Sequence, residues 1–165
     1  MLAGCSTPGG RQSVASETLL RQQLPRTLPV PVDGVAPARL VNSWGAPRDG
    51  GRGHKGIDIF APRGTPVRST TEGVIEAKGM HGLGGLTVTI LGPGGYRHYY
   101  AHLEDLGPQA VGEWVHQGEI IGYVGNSGNA AVNPTHLHYG IYSPSGQAIN
   151  PYPFLRGQPI RTAAR

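Results

Sequence analysis

Glycine and proline set the scale of what this chain can build. The 165 residues include 27 Gly and 15 Pro, so residues that turn or break regular structure recur every few positions. Such a composition lies near the range in which disorder is suspected. Yet 38% of the residues are hydrophobic, and they fall into short, regularly spaced runs. Short apolar runs bounded by Gly and Pro specify strands and turns. The expectation is therefore an all-β domain, a mainly antiparallel sandwich or barrel-like structure, preceded by an extended N-terminal tail.

Read in order, the chain divides into a tether at 1–37, a folded domain at 38–156 and a C-terminal tail at 157–165. Leu2-Ala3-Gly4-Cys5 looks like a bacterial lipobox, and a lipid anchor at Cys5 follows from it, although only Met1 stands where the apolar part of a signal peptide would be. Cys5 is the single cysteine, so no internal disulfide forms. Val14 to Gln23 suits a short helix. Pro25, Pro29, Pro31 and Pro37 then favour extended chain. Strands are expected at Arg39–Trp44, Thr65–Ser69, Gly73–Ala77, Leu86–Leu91, Tyr96–Leu103, Glu119–Val124 and His136–Tyr142. Gly79–Gly85 and Gly125–Pro134 read as loops, and Gly92-Pro93-Gly94-Gly95 as a hairpin turn. Tyr152, Phe154 and Leu155 are expected to pack back on the domain. A faint repeat joins Gly64-x-x-Val67 with Gly73-Val74-Ile75 to Gly112-x-x-Val115 with Gly118-Glu119-Ile120-Ile121. The net charge of +4 is scattered. It forms no basic stripe, so a nucleic-acid partner is not expected, and the excess suits an anionic cell wall or membrane surface. A monomer is expected.

The chemistry concentrates in histidines. His136 and His138 lie two apart in a strand, so both imidazoles face one side and Leu137 faces the other. Upstream, His54 and Asp58 are four apart, and Gly53 and Gly56 argue against a helix between them. Imidazole and carboxylate both suit Zn2+. With one member of the His136/His138 pair, they make three protein ligands. That is the number a catalytic zinc site uses, its fourth position being left for water. The remaining histidine of the pair and His102 then read as proton acceptor and oxyanion stabiliser. His98, four before His102, is placed on the same strand face. His81 and His116 read as ordinary surface or core histidines.

At these positions the sequence resembles the lysostaphin and LytM-type zinc metallopeptidases that cut peptidoglycan cross-links. The resemblance spans about 40–155. It runs through Ser43-Trp44-Gly45, Arg48, His54-Lys55-Gly56-Ile57-Asp58, Tyr100-Ala101-His102-Leu103, Val115 to Gly128, His136-Leu137-His138-Tyr139 and Asn150-Pro151. It implies a β-domain built from a duplicated hybrid motif, with His54, Asp58 and His138 on zinc and His102 and His136 as the catalytic pair. It implies a zinc endopeptidase acting on peptidoglycan peptides outside the cytoplasm. One departure is Gly140, where the family often carries an acidic or polar residue. A different class of function for such a domain is a non-catalytic module that binds and activates a cell-wall amidase. Those modules typically lack zinc ligands or catalytic histidines, and all five positions are intact here.

Overall fold

Strands form where β-branched and aromatic residues run between the turns. A computed structural model describes residues 16–157 of the chain. The lipobox-like segment with Cys5 and residues 158–165 lie outside the described residues. The short strands β1 (Pro47–Arg48) and β2 (Arg52–Gly53) form a hairpin of their own. A nine-stranded sheet system contains β3 (Ile57–Phe60), β4 (Pro66–Arg68), β5 (Gly73–His81), β6 (Gly85–Leu91), β7 (Arg97–Leu106), β8 (Trp114–Val115), β9 (Ile120–Val124), β10 (His136–Tyr142) and β11 (Ala148–Ile149). Every pairing among them is antiparallel. The expected mainly antiparallel β-fold is thus what the chain adopts. Among the described residues, α-helix is confined to residues 16–21, α1, and to α2 (Tyr152–Leu155), beside short 3-10 turns. Among the described residues no helix is long and apolar enough to cross a membrane.

The repeat is realised as an exchange. In each unit a glycine turn feeds two short strands, and the units pair crosswise. Strand β4 of the first lies on β9 of the second, with Val67 opposite Gly122. Strand β5 of the first lies on β8 of the second, with Gly73 opposite Val115. Val67, Ile75, Val115 and Ile121 meet in one core with Ile57, Ile59, Leu103, Leu137 and Ile141.

Three expectations are corrected. Gly79–His81, read as loop, continue strand β5 and pair with β6. Residues 39–44 form no strand. Their polar groups are taken up locally: the Trp44 N–H donates to the Asn42 side chain, and Ser43 engages Asp58 and His54 (below). Nor is the stretch before residue 37 a free tether where it is described. Leu19, Leu28 and Val32 are buried, the Leu28 N–H donates to the Phe154 carbonyl, and Val32 bridges Val67. The prolines keep this segment extended, and its apolar side chains gain more by covering the sheet than by facing water.

Beneath the sheet a polar knot is sealed in the core. Thr70 Oγ1 shares hydrogen bonds with Tyr100 (2.8 Å), Tyr139 (2.9 Å) and His98 Nδ1 (3.1 Å), and Tyr139 also reaches His98 Nδ1 (2.8 Å). Burial pushes His98 down to about 3, whereas an unfolded chain titrates it near 6.5. Below pH 6.5 the unfolded state therefore binds a proton that the folded state refuses. His98 costs nothing above that pH, and it erodes stability as pH falls toward 3 by up to about 1.4 kcal/mol per pH unit. In urea titrations between pH 6.5 and 4, His98→Gln is expected to lose stability less steeply than the wild type, by up to about one proton's worth. An unchanged slope would show that His98 carries none of the acid sensitivity.

Candidate metal centre

Strand β10 is paired on both sides, and its register assembles the site. Against β3, His138 lies opposite Asp58 and Leu137 opposite Ile59. Against β7, His138 lies opposite Ala101 and Tyr139 opposite Tyr100. Opposed residues in antiparallel strands share a face, so His136, His138 and Asp58 enter one cleft while Leu137 and Tyr139 enter the core. His54 arrives from the turn before β3. Its backbone is tied to residues 45 and 46, through Gly45 N–H to His54 O and His54 N–H to Ala46 O, both 2.9 Å.

Three of these side chains converge. His54 Nε2 stands 2.9 Å from His138 Nδ1 and 3.1 Å from Asp58 Oδ1, and His138 Nδ1 stands 3.2 Å from Asp58 Oδ1. The proton bookkeeping shows what such a cluster suits. His54 Nδ1–H donates to the Ser43 carbonyl at 2.8 Å, so Nε2 turns a lone pair inward. Asp58 Oδ1 also brings only lone pairs. One proton on His138 Nδ1 can relieve the crowding, and once it leaves, three lone-pair donors face one point. Two imidazoles and a carboxylate are a donor set that zinc accepts, and among the described residues this trio is the group placed to hold a metal ion.

Burial alone would raise the Asp58 carboxyl, but the neighbouring His138, His54 and Arg48 outweigh it and hold the group well below the usual carboxylate range. Arg48 binds Oδ2, which leaves Oδ1 to the cluster. The Asp58 N–H donates to Ser43 Oγ at 3.0 Å. His138 is pushed down chiefly by burial, partly offset by Asp58.

The two remaining histidines flank this trio. His136 Nε2 is 3.9 Å from Asp58 Oδ1, and the His102 and His136 rings are 5.1 Å apart. Both donate Nδ1–H to backbone carbonyls, His102 to Ser127 at 2.9 Å and His136 to Pro134 at 2.8 Å. Each therefore keeps a bare Nε2, free to accept a proton. Burial pushes His102 down to about 4.

The expected pairing of His98 with His102 on one face fails. Alternation holds as far as Tyr100, so His98 and Tyr100 are in the core. Strand β7 then bulges: between Tyr100 and Leu103 it spends one residue more than β6 does between Val88 and Leu86. His102 takes φ 62°, and among the described residues it is alone in a positive φ outside glycine. A bulge re-aims a side chain, and here it turns an imidazole out of the core into the cleft. Glycines close the picture. A Cβ on Gly140 would lie 3.1 Å from the Lys55 carbonyl, so the missing side chain lets the segment carrying His54 cross β10. One on Gly56 would lie 2.7 Å from His138 Cε1 and 2.5 Å from the Tyr139 carbonyl.

Known proteins resemble this chain in sequence and in fold. Residues 52–151 match the model for Peptidase family M23. The chain is 41% identical over 126 residues to the L-Ala--D-Glu endopeptidase of Bacillus subtilis, covering 70% of this chain and 39% of that protein. It is 42% identical over 111 residues to the DD-carboxypeptidase/endopeptidase Mpg of Neisseria meningitidis, covering 67% of this chain and 25% of that one. In structure it is similar to the catalytic domain of lysostaphin from Staphylococcus simulans, with a TM-score of 0.59 at 28% identity, over 86% of this chain and 97% of that one. The chain thus spans well under half the length of either curated relative.

Gly56→Ala is expected to push the His138 ring out of line without unfolding the domain, at a cost of about 1–3 kcal/mol typical of overpacking. Competition with a chromogenic chelator should then show divalent-metal affinity at least about tenfold weaker than in the wild type. Undiminished affinity would mean that His138 is not held by this contact.

Proposed function

Because the chain belongs to Peptidase family M23, we propose that it is a zinc endopeptidase hydrolysing peptide bonds in the cross-linking peptides of bacterial peptidoglycan. The observation that carries this reading is the inward convergence of His54 Nε2, Asp58 Oδ1 and His138 Nδ1 beside two imidazoles whose Nε2 atoms are bare. In the proposal His54, Asp58 and His138 hold Zn2+. When bound there, the ion acts as a Lewis acid toward a water and toward a peptide carbonyl.

The rest is done by side chains. Arg48 and Ser43 fix the Asp58 carboxylate and the His54 ring, so the ligands are oriented before any ion arrives. His102 and His136 present Nε2 to the cleft from adjoining directions. One is placed to take a proton from the attacking water, and the other, once protonated, to stabilise the oxygen of the tetrahedral intermediate. The C–N bond breaks as the first histidine hands the proton it took from the water to the leaving amine. The L-Ala--D-Glu endopeptidase and DD-carboxypeptidase/endopeptidase names of the relatives support a peptidoglycan peptide substrate and, with it, action outside the cytoplasm. A lipid anchor at Cys5 and a monomeric state belong to the same proposal.

Purified protein is expected to carry about one zinc per chain, and His54→Ala or Asp58→Ala to abolish it, by metal analysis. Full hydrolysis by metal-free protein would overturn the mechanism. His102→Ala should keep the metal yet lose roughly 100- to 10,000-fold in turnover of purified peptidoglycan. Mass analysis of the fragments identifies the bond cut. A wild-type protein that holds zinc but releases no fragments, while stimulating a separate amidase, would favour the activator reading.

A further inference from the structure

The two flanking histidines are oriented by one loop. Strand β9 ends at Val124, and Gly125 then bridges back to His136, whose N–H donates to the Gly125 carbonyl at 3.0 Å. Residues 126–135 leave the sheet between these points. The carbonyls that receive the Nδ1–H of His102 and of His136 lie at opposite ends of that excursion, on Ser127 and Pro134.

Asn126 ties the ends together. It precedes Ser127, and its Nδ2 donates to the carbonyls of Ala131 (3.1 Å) and Asn133 (3.3 Å), the latter preceding Pro134. Its Oδ1 accepts from Arg63 Nη2 at 2.6 Å. Arginine can only donate and a carbonyl can only accept, so one orientation of the amide satisfies both sides. Arg63 stands in the turn between β3 and β4 and also pairs with Glu104 on β7. The clamp is therefore moored to the sheet on two sides. Arg63 and Glu104 are both about half exposed, so their ion pair adds little stability. Its consequence is directional.

We infer that Asn126 is a positioning residue: by fixing the loop it holds two backbone carbonyls where they set the tautomer and direction of His102 and His136, with Arg63 fixing the Asn126 amide in turn. Either nitrogen of a neutral imidazole can carry the proton, and the partner of one nitrogen decides which does. The Ser127 end has a second anchor, because Ser127 Oγ donates to the Leu103 carbonyl (2.7 Å) and accepts from the Leu86 N–H (2.9 Å). The Pro134 end has a single side-chain anchor, and it lies on the next residue, where Thr135 Oγ1 donates to the Ala61 carbonyl (2.7 Å). Loss of the clamp is thus felt more at His136 than at His102. This inference rests on the catalytic reading of the two histidines, but the tautomers can be measured without it.

Side-chain 15N–1H correlation spectra of the full chain as purified provide the test. The wild type should show both His102 and His136 protonated at Nδ1. In Asn126→Ala, and in the near-isosteric Asn126→Asp, which keeps the acceptor for Arg63 and loses both donors, His136 should move to a mixture of tautomers and His102 should change less. Turnover of peptidoglycan should fall about 10- to 100-fold in kcat, the scale for losing a group that orients a site, with zinc content and KM changing less. Arg63→Ala should give a weaker version of the same pattern at a nearly unchanged melting temperature. Unchanged tautomers in both Asn126 variants would overturn the inference, as would wild-type imidazoles protonated at Nε2. A wild type that cleaves nothing would instead remove the catalytic reading, and the spectra would still decide the clamp.

Discussion

A carboxylate held away from water is the constraint to which the site answers. The Asp58 side chain is only 9% exposed, and an isolated buried charge costs several kcal/mol. Its two oxygens are therefore divided. Arg48 takes Oδ2, and the imidazoles of His54 and His138 crowd Oδ1. These partners come from separate parts of the chain. Arg48 lies on the β1–β2 hairpin, which shares no ladder with the main sheet. That hairpin is moored by the backbone exchange with His54 and by its arginine. One buried charge thus accounts both for the geometry of the candidate metal centre and for the placement of the segment that covers it.

The second constraint is parity. Side chains alternate along a strand, so a cleft and a core can share the same three strands only if each keeps its own set of positions. Strand β10 obeys this without exception, with His136 and His138 outward and Leu137, Tyr139 and Ile141 inward. Strand β7 cannot supply both Tyr100 to the core and His102 to the cleft by alternation, because they are two apart. The bulge and the positive φ at His102 resolve the conflict. A non-glycine residue in that region carries strain of order 1–3 kcal/mol, which the two strands flanking β7 and the Ser127 hydroxyl hold in place.

Legibility in the sequence follows from these constraints. The spacing of glycines and apolar runs was enough for the fold class and for the positions of β4, β6, β9 and β10, since period-two alternation is local information. The convergence of His54, Asp58 and a histidine of β10 was legible from residue types, although alternation alone could not choose between His136 and His138, which share a face. The family resemblance implied His138, and the register sets His138 opposite Asp58. The separation of His98 from His102 was invisible for the same reason in reverse, because a bulge leaves no mark in a run such as Tyr99-Tyr100-Ala101-His102. Ser43, Ser127, Pro134 and Asn126 act through backbone carbonyls or short polar side chains. Their signal is position in space, which residue identity does not carry. The burial of Leu28 and Val32 was not legible, because proline spacing reads as tether whether or not an apolar surface lies beneath.

The hydrophobic core and the polar site are two outcomes of one register. Strand β10 pairs with β3, β7 and β11, so it cannot slide without breaking three ladders. A slip of one residue would turn Leu137, Tyr139 and Ile141 outward and drive both imidazoles into the core. It would also pull the Tyr139 hydroxyl from Thr70 and His98, leaving buried polar groups unpaired at about 1–3 kcal/mol each. The apolar residues and the sealed knot beneath the sheet therefore hold the cleft-facing atoms in place, although none of them touches the cleft. Positioning on the scale of a few tenths of an ångström, which three converging donor atoms require, is then inherited from packing that folding needs in any case. Local devices remain necessary only where that inheritance stops, at His102 beyond the bulge and at His136 where the strand emerges from its loop, and there the structure supplies backbone carbonyls.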